Sequence, residues 1–92
     1  MDKPCIITSD GDVREVEPKN GTDFTLEELQ SIVDGNVEII DIGYNQIMCM
    51  DEEGKIHGKH VNVLATMYAS GHLFGDDVIV GDVLVCNSMM VK

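Results

Sequence analysis

The chain has no tryptophan and only four aromatic residues, two tyrosines and two phenylalanines, so it offers few flat surfaces for nucleobases. Basic residues are scarce too: six Lys and Arg stand against seventeen acids, for a net charge of −11. Nucleic acid and anionic membranes are held by basic surfaces that neutralise phosphate, so neither is expected as a direct partner. No apolar run reaches the roughly 20 residues of a membrane-spanning helix. No segment shows the charged, apolar and small-residue order of a signal peptide, and a soluble cytoplasmic protein is expected. Cys5, Cys49 and Cys86 are odd in number, far apart and set among apolar residues, the pattern of buried free thiols rather than a disulfide framework. Gly-x-Ser-x-Gly, Cys-x-x-Cys, Walker and His-Glu-x-x-His motifs are all missing, so neither catalysis nor a cofactor is expected.

What is present fits one small α+β domain over residues 1–92. A chain of this size builds only a modest core, and association with further copies would supplement it. The charge is uneven: residues 1–53 hold 14 acids and 3 bases, whereas residues 54–92 are neutral. The acidic half serves solubility, or it faces a basic protein surface, as a mimic of DNA would. The neutral half supplies the candidate self-contact, with Met67, Tyr68, Phe74 and the apolar stretch Val78 to Cys86.

Cys5-Ile6-Ile7-Thr8 reads as a strand, Ser9 to Asp12 as a tight turn, and Val13 to Glu17 as the returning strand. Thr25 followed by Glu28 forms a capping box for a helix over 26–34, with Phe24 and Leu29 placed as its hydrophobic staple. Leu26, Leu29, Ile32 and Val33 recur at helical spacing, and Gly35 is the expected left-handed stop. Val37 to Ile42 and Gln46 to Met50 read as a hairpin around Gly43-Tyr44-Asn45, and a second hairpin at Asp51 to Gly54 leads to a strand over Lys55 to His57. Asn62 is a natural N-cap for a second helix running to Ser70. Val78 to Cys86 gives one or two buried strands, with Gly81-Asp82 marking a bulge or bend. The sum is a small antiparallel or mixed, curled sheet of five to six short strands with two helices on one face.

One segment runs against the overall charge. Lys55, His57, Lys59 and His60 precede the helix capped by Asn62, and a basic approach to a helix N-terminus suits a phosphate or another anion. An ordinary polar connection accounts for the same residues. Tyr44 and Tyr68 are the available stacking surfaces for a base, although packing explains each equally well. The Asp51-Glu52-Glu53 triplet reads as a solvated turn rather than a metal site, because adjacent carboxylates on a turn do not converge on one ion.

TLEELQSIVDGNVEII (25–40), MDEEGK (50–55), Asn62 with Ala65 and Thr66, and VIVGDVLVC (78–86) occur in an order and spacing that resembles a small family of uncharacterised domains found largely in bacteriophages and mobile genetic elements. The resemblance runs from Ile6 to Cys86 and rests on structural motifs. Relatives usually carry Gly-Gly where this chain has Asp34-Gly35. The resemblance implies no catalytic residues. By analogy with other small phage-borne domains it implies action by binding, in the cytoplasm of a bacterial host. The leading expectation is an anti-defence protein that sequesters a cyclic nucleotide or another phosphorylated small-molecule signal as a homo-oligomeric sponge. The alternatives are an acidic inhibitor or DNA mimic that blocks a host defence protein, and a structural accessory domain.

Overall fold

Apolar side chains at both parities of a strand require cover on both sheet faces, and that requirement sets the layering. In the computed structural model, which describes residues 3–91, five strands form one open antiparallel sheet. They are β1 (Cys5–Ile7), β2 (Val13–Glu15), β3 (Val37–Gly43), β4 (Gln46–Asp51) and β5 (Val83–Asn87), in the order β2-β1-β5-β4-β3. Two local hairpins thus flank the last strand. In β4 and β5 the odd and even residues point to opposite layers. Met48, Met50, Val83 and Val85 join Ile7, Ala65, Ala69 and Ile79 on one side, while Ile47, Cys49, Leu84 and Cys86 join Ile6, Phe24, Leu29 and Val33 on the other.

The α+β class and antiparallel sheet follow the expected pattern, with two corrections. The sheet is open rather than curled, because Gly81-Asp82 does not bend a strand but precedes one: Gly81 is left-handed at φ 77°, and Asp82 accepts a hydrogen bond from the Ser9 amide at 3.0 Å. Val80 makes a single bridge to Val61, so Val78 to Cys86 does not form a continuous strand. The helices α1 (Leu26–Val33) and α2 (Val63–Tyr68) lie on opposite faces rather than on one. The near-continuous apolar run of β5 demands this arrangement, since helices on a single face would leave its other face bare.

Lys55 to His57 is not a strand either. Asp51 Oδ1 accepts from the Glu53 amide at 2.9 Å, and successive turns then close through Gly54 N to Asp51 O, His57 N to Glu53 O and Lys59 N to Gly54 O. β4 already has β3 and β5 as neighbours, which leaves no edge for a further strand there. The expected self-contact through Val78 to Cys86 is corrected for the same reason, because Val83 to Cys86 is buried at the centre of the sheet.

Helix α1 begins as its sequence dictates. The Thr25 hydroxyl accepts from the Glu28 amide at 3.2 Å, the Glu28 carboxylate accepts from the Thr25 amide at 3.0 Å, and Phe24 and Leu29 pack in one cluster. Hydrogen bonds from the Thr25 and Lys19 amides hold the Glu28 carboxyl below its usual range. Asp34, not Gly35, takes the left-handed position at φ 55°. Gly35 serves a different purpose: a Cβ there would sit 2.5 Å from Asp51 Oδ1, so glycine permits a close approach to that carboxylate. The three cysteines are free and buried.

Thr25→Ala removes the acceptor for the Glu28 amide and should cost about 0.5–2 kcal/mol. Thermal unfolding should show a lowered Tm with unchanged far-ultraviolet dichroism; an unaltered Tm would show that the cap does not hold the helix.

Candidate functional site

The basic segment folds around a single carboxylate. Asp51 ends β4 with its side chain only 1% exposed, and Oδ2 receives the Lys59 ammonium at 2.8 Å and faces His57 Nδ1 at 2.8 Å. Lys59 also donates to the carbonyls of Val33 at 2.6 Å and Asp34 at 2.7 Å, at the C-terminal end of α1. It thereby places a cation where the helix dipole is negative and satisfies carbonyls that have no partner within the helix. Its stem lies against Gly81, where an added Cβ would meet Lys59 Cδ at 2.8 Å. Burial pushes the Asp51 carboxyl up, but hydrogen bonds from Lys59, the Glu53 amide and His57 outweigh it and bring the pKa to about 2.

The remaining sequence-predicted site residues are dispersed. Lys55 pairs with Asp77, whose carboxyl is held below its usual range by that hydrogen bond and by the Val78 amide. Asn62 is fully buried: its Oδ1 caps α2 by accepting from the Ala65 amide at 3.0 Å, and its Nδ2 donates to the carbonyls of Ile7 at 2.9 Å and Gly81 at 2.8 Å. The residue fastens α2 to β1 and to the turn before β5, and its side chain is closed to a ligand. His60 is exposed and borders a shallow depression of about 160 Å3 with Ser9, Asp34, Lys59 and Asp82. Tyr44 is 99% exposed at φ 55° in the β3–β4 turn, and the Tyr68 hydroxyl bonds Gln46 Oε1 at 2.9 Å beside that turn. Along β4, Gln46 and Asp51 are separated by roughly 17 Å at the usual rise per residue. The structure therefore brings Lys59 and His57 together on Asp51 and sets Tyr44 and Tyr68 at the far end of the hairpin.

Sequence reasoning missed the cleft beside this cluster. It has a volume of about 240 Å3 between β3, the 51–56 turn and the 72–80 segment. Ile40, Ile56, Phe74 and Val78 are part of its apolar lining, and Glu38, Glu52 and Glu53 line it together with Asp51, His72 and the Lys55–Asp77 pair. Ile56 is 81% and Phe74 94% exposed, large apolar side chains at the lip of a cleft whose charge is negative. The signal in the sequence is Ile56 and Phe74 standing near acids, Ile56 in a segment read as a strand and Phe74 in the expected self-contact. Among the described residues, no three His, Cys, Asp or Glu side chains gather as metal ligands, and no helix is long and apolar enough to cross a membrane.

Fold and cleft together define a small open-sheet α+β domain with a partly apolar, acid-rimmed cleft. The chain belongs to the family described as "Domain of unknown function (DUF3846)", whose model matches residues 4–89. No curated protein and no solved structure matches it.

Removing one partner of a buried ion pair strands the other, so Lys59→Met should destabilise the fold by about 3 kcal/mol in chemical denaturation. The Asp51 carboxyl also sets a pH window. Its folded pKa lies below the ordinary 3.8, so its stabilisation is complete above that value and is lost as pH falls through about 2. The stability gap between the native protein and Asp51→Asn should shrink across that interval; a constant gap would show that the carboxylate's charge does not matter.

Proposed function

We propose that this domain acts by binding, without catalysis, and that it engages a basic surface on another protein. In the phage or mobile-element setting that the sequence resemblance implies, the partner would be a host defence protein whose activity the domain blocks. One observation carries this reading. Lys55, His57 and Lys59 of the basic segment are engaged within the molecule and His60 is exposed away from the cleft, whereas Glu38, Glu52 and Glu53 line the cleft and, among the described residues, form none of the ion pairs. An anionic nucleotide at this end of the sheet would have to displace internal partners and then meet three carboxylates. A cationic side chain there gains Coulomb attraction from all three.

The discriminating experiment is calorimetry of the purified protein against two panels, cyclic nucleotides including cyclic ADP-ribose signals, and Lys/Arg-rich peptides. The expected result is no heat with any nucleotide and peptide binding that falls steeply with salt. Glu52→Gln with Glu53→Gln should weaken the peptide interaction, while Lys55→Gln leaves it unchanged or stronger. Nucleotide binding that Lys55→Glu abolishes would overturn this proposal in favour of signal sequestration.

A further inference from the structure

We infer that the partner docks as an added strand on the open edge of β3, through a segment with the pattern basic, apolar, apolar, basic; this rests on the reading above that the partner is basic. The sheet has two edges. β2 offers three residues at one and β3 offers seven at the other. A seven-residue edge is long enough to pair with a peptide, and edge pairing is a common mode of peptide recognition.

The phase of the ladder shows which backbone groups are available. Val37 lies opposite Asp51, and the Glu52 amide donates to the Asn36 carbonyl at 2.7 Å, so Asn36 and Glu52 form a hydrogen-bonded pair. Such pairs alternate in an antiparallel ladder. Glu38 with Met50 and Ile40 with Met48 therefore bond within the sheet, and the N–H and C=O groups of Val37, Ile39 and Asp41 are directed outward. An added strand would find three consecutive outward-facing residues on this edge.

The side chains supply the selectivity. Along the edge run Glu38, Ile39, Ile40 and Asp41, two exposed acids around an exposed and a half-buried isoleucine. A strand laid alongside places one residue opposite each of these, and directly opposed pairs are the unit of sheet stabilisation. Cations complement Glu38 and Asp41, and apolar side chains complement Ile39 and Ile40. The pattern is symmetric, so it holds for either strand direction. Side chains on the Ile40 face of the added strand would meet the cleft, with Ile56 and Phe74 as apolar contacts and Glu52 and Glu53 as further acids. A second copy is a poor occupant, because pairing β3 with itself would bring a second Glu38 and Asp41 to an edge that already carries both acids.

Fluorescence anisotropy with labelled peptides of identical Gly-Ser flanks tests the inference. A Lys-Ile-Val-Lys core should bind roughly tenfold tighter than the shuffled Lys-Lys-Ile-Val core, and a Glu-Ile-Val-Glu core should not bind. The double variant Glu38→Lys with Asp41→Lys should exchange these preferences, losing the Lys pattern and gaining the Glu pattern, an outcome that misfolding does not produce. Ile39→Pro removes an outward amide that no ladder bond uses, and should weaken Lys-Ile-Val-Lys with the Tm largely retained. Equal binding of the patterned and shuffled Lys peptides, or no exchange in the double variant, would overturn edge docking while leaving a basic partner intact. Failure of every basic peptide to bind would overturn both.

Discussion

A carboxylate buried at the end of a strand must be neutralised where it sits, and around Asp51 that requirement joins three separate parts of the chain. Lys59 reaches it across the 51–59 turn and, with the same ammonium group, closes the C-terminal end of α1. Gly35 leaves room for the carboxylate, and Gly81 for the lysine stem. One ion pair therefore fixes the exit from α1, the end of β4 and the approach to β5, three places distant in sequence. Replacing a buried pair with apolar groups is often energetically neutral. What this pair adds is geometry, because no apolar side chain could satisfy two helix carbonyls and the Glu53 amide as well.

The charge pattern then acquires a structural logic. The basic segment appears in the sequence as an exposed counterweight to an acidic chain, but Lys59 turns inward to Asp51 and the helix end, and Lys55 pairs with Asp77 at the surface. Glu38, Glu52 and Glu53 remain at the surface around a partly apolar cleft. The lysines that suggested an anion site are thus paired within the molecule.

The two outcomes of reading the sequence differ by range. The Thr25–Glu28 capping box, the Asn62 cap and the β3–β4 hairpin are set by residues within a few positions of one another, so pattern and spacing revealed them. Lys59 looked free because the carbonyls it bonds lie 25 and 26 residues away. Asn62 was read correctly as a cap, but its amide bonds to Ile7 and Gly81 span 55 and 19 residues and left no local trace. Asp51 was grouped with Glu52 and Glu53 as a solvated turn, although only the last two are exposed. The placement of helices on both faces was legible in principle, since Ile47 to Met50 and Val83 to Cys86 are apolar at every position.

The strand order carries a consequence for how the molecule assembles. β5 is the final strand along the chain yet occupies the middle of the sheet, between hairpins that share no ladder without it. Two-stranded hairpins are marginal alone in water. During synthesis, β1 and β4 each await their common neighbour with one flank unpaired, and those flanks, Cys5-Ile6-Ile7 and Ile47-Met48-Cys49-Met50, are the most apolar strand segments formed so far. The nascent chain is thus most prone to mispairing just before residues 83–87 emerge, and their insertion converts two sticky edges into the interior of one sheet.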